Sequence, residues 1–409
     1  MTKISDLPRD LAEEVLSRVP VTYLRAIRFT CKKWNTLTKR RSFTKKLIGQ
    51  EKAEAKVKEF HAIMTLNSRL HLMSVNLDGI HKDENVESSI KQKGKLISLT
   101  VADPDRIVIS QVYHCDGLLL CITNEINSRL VVWNPYSGQT RWIEPRTSYR
   151  EWDIYALGYE SKNNAKRSYK ILRYLDAYED MGDMSVEPRT RVCEFEIYSL
   201  DTNSWKVIEV TTDWDLCFLH RGVTLKGNTY WFAREKIPPP PRERVIEDIP
   251  LGEAEINVEI PSFLLCFDFT IEKFGSRLPL PFRPCVDDTI TLSSVREEKL
   301  AVLYQRWDIT WTGIWISNKI EPNAVSWSKL FFPMGRIRPL EAASGTFFVD
   351  EENKLVVLFD KGESILNPTR NTAYIVGEDG YIKPVDLGES VHKYCFPLAC
   401  SYVPSSVQI

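Results

Sequence analysis

Six histidines and nine cysteines are the side chains of this 409-residue sequence with the widest chemical repertoire. Neither set has the spacing that chemistry needs. His61, His71, His81, His114, His220 and His392 make no HxH, HExxH or paired Cys/His pattern, the arrangements that bring metal ligands together. His114 and His220 each precede a short turn into an apolar run, in HCDGLLL and HRGVTL. That placement predicts a repeated structural position at the start of an inner strand, not acid–base work. Cys31, Cys115, Cys121, Cys193, Cys217, Cys266, Cys285, Cys395 and Cys400 contain no CxxC pair, and most sit among apolar residues, as in Leu264-Leu265-Cys266-Phe267. Such surroundings suit free thiols behaving as small hydrophobes. The 18 glycines fall mostly in turns such as Asp116-Gly117, Lys226-Gly227-Asn228 and Asp379-Gly380. No GxGxxG, Walker-type or GxSxG loop is present, so the sequence encodes no amide cradle for phosphate. Asp287-Asp288 and Glu351-Glu352 read as solvated turn residues. The sequence therefore predicts no catalytic, metal-binding or cofactor-binding residues.

Composition points the same way. Hydrophobic content of 43% and charged content of 27% are those of a globular protein, and the formal net charge of −1 gives no global attraction to nucleic acid or membrane. The longest apolar runs, Gly117 to Ile122 and Lys354 to Phe359, are strand-sized, far short of the ~20 residues of a spanning helix. Charges at Lys3, Asp6, Arg9 and Asp10 occupy the place of a signal peptide's apolar stretch, predicting a cytosolic or nuclear chain. Charge is uneven locally: residues 1–60 hold 15 Lys and Arg against 7 Asp and Glu. Lys39-Arg40-Arg41 and Lys45-Lys46 have the composition of a nuclear address or nucleic-acid contact. Aromatic platforms do not interleave with them as single-strand binding requires. Complementarity to an acidic partner surface, with a solvated helix continuing toward Lys58, is the plainer reading.

The elements that must position any functional residue change character near residue 50. In the first part, Leu11, Val15, Leu16 and Val19 fall on one helical stripe. Pro8 is tolerated at or before the first turn, Pro20 ends the helix, and the Thr22 hydroxyl is placed to cap the next one. Leu24, Ile27, Cys31 and Trp34 then run as a second apolar stripe. Two or three helices in about 40 residues cannot cover each other's apolar faces, and no staple is available, so another protein is expected to supply the cover.

The stretch LPRDLAEEVLSRVPVTYLRAIRFTCKKWNTL, Leu7 to Leu37, closely resembles the F-box motif. The family's LP opening, LSR-x-P centre, Leu, Arg and C-K-x-W close are present as Leu7-Pro8, Leu16-Ser17-Arg18-Val19-Pro20, Leu24, Arg28 and Cys31-Lys32-Lys33-Trp34. Thr30 stands where the family often has Val. The resemblance implies a three-helix unit that docks on a Skp-type adaptor and, through it, on cullin and RING subunits. The implied adaptor-binding residues are Leu7, Pro8, Leu11, Val15, Leu16, Pro20, Leu24, Ile27, Arg28, Cys31 and Trp34.

From about residue 60 short alternating runs separated by turn residues dominate, the β pattern. A loose repeat is visible. Cys115-Asp116-Gly117 leads to Leu118–Ile122, then to Leu130–Pro135 and Gly138…Trp142. The theme recurs at Glu194–Leu200, Phe263–Phe269, Gly313–Ser317 and Thr372–Val376. Intervals of about 50 to 70 residues are near a kelch-type period, and roughly 350 residues at that period close about six blades. Recurrent Trp and Phe are read as blade packing. HCDGLLLCI, VVWNPYSGQTRWI, YALGYE, KRSYKILR, FEIYSLDTNSWKV, HRGVTLKGNTYWFA, LLCFDFTIEKFGSRLPLP, IEPNAVSWSKL, NTAYIVGEDGYIK and YCFPLACSYVPS resemble the F-box-associated domain of plants. Two segments stand apart: the acidic Asp176 to Arg191, and Arg234 to Pro261 with four prolines from Pro238 to Pro241. Long loops of this kind are functional or disordered, and composition here favours disorder.

The expected architecture is therefore a small all-α F-box of three helices over 1–48 and a helical linker over 49–59. A large, mostly-β, kelch-like propeller of about six blades then occupies 60–409. The resemblance implies a non-catalytic substrate-recognition subunit of an SCF-type cullin–RING ubiquitin ligase. It would hold a target protein on a surface the sequence does not reveal, with no nucleic-acid or membrane partner. A propeller that binds proteins or ligands outside ubiquitination is the alternative, because propellers host unrelated functions.

Overall fold

The computed structural model describes residues 7–19, 21–40, 42–43, 46–47, 59–66, 69–77, 90–95, 108–123, 128–149, 153–162, 166–178, 191–216, 221–236, 259–307, 312–330, 346–361, 370–377, 380–389, 398–405 and 407–409. The chain divides into two compact units. One comprises Met1–Glu151, Asp350–Ile375 and Lys383–Ile409; the other comprises Trp152–Val349 and Val376–Ile382.

Three short helices open the first unit. In α1 (Arg9–Ser17), Pro8 is the N-cap residue and its carbonyl accepts the Ala12 N–H at 2.9 Å. Proline suits this end because its missing N–H would have no helical partner. α2 covers Val21–Thr30, so Thr22 is its second residue and not its N-cap position. That expectation is corrected: the N-cap residue has non-helical backbone and precedes the first helical residue, whereas Thr22 follows one. Pro20 lies outside the described residues. The second stripe is also divided. Cys31 is extended (φ −160, ψ 156) and ends α2, and its Sγ accepts the Trp34 N–H at 3.4 Å as the N-cap of α3 (Lys32–Thr38). Ala12, Leu16, Leu24, Leu37, Phe43 and Leu47 form the helical core together with Tyr136 from the β part. The expected linker at 49–59 lies outside the described residues except Glu59, which opens a strand.

The remainder is a six-bladed β-propeller of antiparallel sheets. The first blade orders Leu398–Ser401, Glu59–Leu66, Arg69–Asn76 and Ile90–Lys95, so the last strand of the chain completes the first sheet, with Ala62 opposite Ser401 and Thr65 opposite Leu398. The second comprises Ile109–Cys115, Leu118–Thr123, Leu130–Asn134 and Gln139–Ile143. The third comprises Ile154–Lys162, Lys166–Tyr178, Arg191–Ser199 and Ser204–Ile208. In the fourth, Trp214–Leu216 and Val223–Leu225 both pair with Asn228–Glu235, which pairs with Ser262–Asp268, flanked by Lys273–Phe274 and Leu278–Pro279. The fifth orders Thr289–Val295, Lys299–Gln305, Thr312–Glu321 and Ala324–Leu330; the sixth, Thr346–Asp350, Leu355–Lys361, Arg370–Gly377 and Ile382–Glu389.

Why these segments form strands is visible in their burial. Leu118–Thr123 and Leu130–Asn134 are buried at every position, which explains their unbroken apolar sequence, whereas the outermost Ser204–Ile208 shows no buried residue. The turn between Ile109–Cys115 and Leu118–Thr123 has two residues at positive φ, Asp116 at 51 and Gly117 at 75, the geometry that matches strand twist in a two-residue hairpin. A Cβ on Gly117 would lie 2.4 Å from the Ser405 Cβ, so only glycine fits. His114 sits just before this turn, where its Nε2 accepts the Gly117 N–H at 3.0 Å, a structural placement. His220 lies outside the described residues, as do 179–190 and 237–258 of the two compositionally distinct segments.

Candidate functional site

The two faces of α1 do different work. Ala12 and Leu16 point into the helical core at 1% and 3% exposure, while Leu11 and Val15 are 54% and 51% exposed. Pro8, exposed one turn before Leu11, extends the outer row. α2 repeats the division. Leu24 and Arg28, four residues apart, are buried, and Tyr23, Ala26 and Phe29 lie on the open side, Phe29 at 78% exposure. Large apolar side chains arrayed along short helices are uncommon on a protein surface that has no partner.

Each sequence-selected residue among those described therefore has a definite place. Pro8, Leu11 and Val15 are exposed; Leu7, Ile27, Cys31 and Trp34 are half-buried; Leu16, Leu24 and Arg28 are buried beneath the surface. Pro20 falls outside the described residues. Tyr23 and Phe29 were not selected. Their offset from Leu24 and Arg28 on the helical wheel was the available signal, but a stripe argument seeks one apolar face and these helices have two.

Polar contacts fasten the helices beneath that surface. The Lys33 Nζ donates to the Leu7 carbonyl at 2.9 Å, holding the start of α1 against α3. Glu14 pairs with Lys46, and with Arg18 at 2.9 Å, and these hydrogen bonds, that from Lys46 foremost, hold its carboxyl below the ordinary value. Arg9, Lys32, Lys39 and Arg40 stay exposed, leaving the surroundings basic.

Arg28 is built differently. Its Nε donates to the Thr38 Oγ1 at 3.1 Å and its Nη1 to the Tyr136 carbonyl at 2.5 Å, and the Tyr136 hydroxyl donates to the Thr38 carbonyl at 3.1 Å. Burial lowers the Arg28 pKa, partly opposed by Tyr136. In the β part, Val108, Val207, Ile271, Val286 and Trp307 are exposed large apolar residues, and among the described residues no group of His, Cys, Asp or Glu is arranged to hold a metal. No helix among them is long and apolar enough to cross a membrane.

Comparison with known proteins agrees with this architecture. The F-box domain family matches residues 4–46, and the F-box associated beta propeller domain family matches 61–409. An F-box/kelch-repeat protein of Arabidopsis thaliana is 56% identical over 418 residues, covering 100% of both chains. An F-box protein of the same organism is 49% identical over 422 residues, covering 100% of this chain and 99% of its own. Likeness to solved structures is slight: a fucose-binding lectin of Aleuria aurantia with a six-bladed propeller aligns over 80% of this chain and 90% of that one, at 8% identity and a TM-score of 0.39. The helical motif, the propeller and the full-length relatives together show that this chain belongs to the plant F-box proteins carrying an F-box-associated β-propeller domain.

Proposed function

We propose that the chain is the target-receptor subunit of an SCF-type cullin–RING ubiquitin ligase. Its helical region, 1–48, binds a Skp-type adaptor; 49–59 links it to a propeller, 60–409, that holds a target protein in the cytosol or nucleus. One observation carries this reading: α1 and α2 leave Leu11, Val15, Tyr23 and Phe29 exposed although their opposite faces already have a core. Association would cover that row, and interfaces favour aromatic and aliphatic anchors at their centre. Leu7, Pro8, Ile27, Cys31 and Trp34 contribute at its edges with Pro20, while Leu16 and Leu24 shape the face from below. Exposed lysines and arginines around the row suit an acidic adaptor surface.

The chain itself makes and breaks no bond in this scheme. It raises the effective concentration of target lysines near the charged conjugating enzyme. The test is calorimetric titration of the full chain with a purified Skp-type adaptor, beside the double variant Leu11→Asp, Val15→Asp. The parent is expected to bind and the variant to lose affinity by about 100-fold, or ~2.7 kcal/mol. Undiminished binding by a folded double variant would overturn the assignment.

A further inference from the structure

The motif arginine that resemblance assigns to the adaptor is 8% exposed and faces the propeller. Tyr136, which it meets, lies in the turn between Leu130–Asn134 and Gln139–Ile143 of the second blade and is 2% exposed. The Arg28 guanidinium carbon lies 5.2 Å from the centre of the Tyr136 ring, and Tyr136 belongs to the same core cluster as Leu24, Leu37, Phe43 and Leu47. Apolar packing, a cation over a ring and reciprocal hydrogen bonds through Thr38 thus meet at one residue of the β part.

The turn is secured from its other side as well. The Asn134 Oδ1 accepts the Ser137 N–H at 3.1 Å, and its Nδ2 donates to the carbonyls of Ser405 at 3.0 Å and Val407 at 2.8 Å. The Gln139 Nε2 donates to the Gln408 Oε1 at 2.7 Å. Ser405, Val407 and Gln408 lie four to seven residues beyond the strand Leu398–Ser401 that completes the first blade, so the turn is braced by the tail that follows it.

We infer that the turn Asn134–Gln139 is a fixed seat for the F-box and that Arg28 is a positioning residue, not an adaptor contact. A buried arginine costs desolvation, as the lowered Arg28 pKa reflects. What its planar fork and charge supply is direction: they admit one orientation of α2 and α3 on the second blade. Resting on the ligase reading above, the seat sets the adaptor-docking face at a constant angle to that blade, so a bound target is presented repeatedly in one geometry.

The experiment uses the full chain and three variants: Tyr136→Ala, Tyr136→Phe and Arg28→Ala. Small-angle X-ray scattering of the free chain reads the seat, and calorimetry with a purified Skp-type adaptor reads the docking face. Tyr136→Ala and Arg28→Ala are expected to broaden the pair-distance distribution and raise the maximum dimension, with adaptor affinity within about threefold of the parent. Tyr136→Phe keeps the ring and removes the hydroxyl, with its bond to Thr38 and its interaction with Arg28; faster hydrogen exchange over 28–38 with unchanged exchange over 118–134 is expected, which keeps the test decisive should Tyr136→Ala unfold the blade. Unchanged scattering together with unchanged exchange overturns the seat. A tenfold or greater loss of adaptor affinity in Arg28→Ala, absent from Tyr136→Ala, overturns the assignment of Arg28 by making it an adaptor contact. Failure of the parent to bind adaptor sinks the ligase reading instead, and the scattering still decides the seat.

Discussion

Neighbouring residues of one helix have opposite environments here. Leu16 is packed in the helical core, so Leu16→Ala is expected to cost about 2–5 kcal/mol by removing buried methyl groups and leaving a cavity. A thermal melt of the full chain, with helical signal followed separately, checks this; an unshifted melt would place Leu16 outside the core. Val15, next to it and 51% exposed, is expected to tolerate Ala within about 0.5 kcal/mol. The distinction was not legible in the sequence, because the residue that packs inward and the one that faces outward are both apolar, and periodicity reports only the alternation. His114 was legible, as a residue tied to its turn. Burial lowers its pKa to about 4 from 6.5, with Asp116 raising it slightly. The unfolded chain therefore takes up the proton first, and stability present above pH 6.5 is lost as pH falls toward about 4. His114 is half-buried as a residue, so the loss is smaller than for a fully enclosed one. His114→Gln should flatten the melting temperature between pH 7 and 4.5 relative to the parent; parallel curves would refute the linkage.

Among the elements, the strands with unbroken apolar runs were the most legible. Leu118–Thr123, Leu130–Asn134, Ser262–Asp268 and Leu355–Lys361 lie where their sequences place them, because burial on both faces demands apolar residues throughout. The α2–α3 break was hidden, since Cys31 keeps the helical spacing of the stripe while its backbone is extended. The third blade conceals a different feature. Arg173, 0% exposed, donates from Nε and Nη2 to the Asp153 Oδ2 at 2.9 and 2.7 Å, and from Nη1 to the Glu196 Oε2 at 3.2 Å; Tyr155 adds a third bond to Asp153 at 3.1 Å. Burial pulls the guanidinium pKa down, but Asp153, Tyr155 and Glu196 outweigh it and hold the charge in place. Asp153 and Tyr155 lie at the start of Ile154–Lys162, Arg173 in Lys166–Tyr178 and Glu196 in Arg191–Ser199, and only the fold brings them together. Arg173→Met would leave two carboxylates buried without a cation, so the blade should lose about 3–5 kcal/mol. Chemical denaturation checks that figure. A loss under about 1 kcal/mol would mean that water or another cation already serves the pair.

At the scale of the whole molecule, sheet number was readable from the repeat, but the joining of the chain to itself was not. Nothing local in Leu398–Ser401 says that its partner is Glu59–Leu66, and nothing in Tyr136 says that its neighbours are Leu24 and Arg28, because both pairings join residues remote in sequence. Closure nevertheless governs the outcome. Without the final strand, Glu59–Leu66 becomes an edge carrying unpaired backbone groups beside the fully buried Ala62, Ile63 and Met64. Edges of this kind recruit other chains. Deleting 398–409 should therefore convert the protein to aggregates or higher oligomers in size-exclusion chromatography. Deleting only 407–409 removes the Asn134 bond to the Val407 carbonyl and the Gln139 bond to Gln408 while sparing every strand pair of the first blade. That shorter deletion should leave the protein monomeric and loosen chiefly the turn of the second blade, seen as faster hydrogen exchange over 134–139. If both deletions aggregate alike, the tail contributes to closure itself; if neither does, pairing of the last strand with the first blade is dispensable, and the sheet must be held by its remaining three strands.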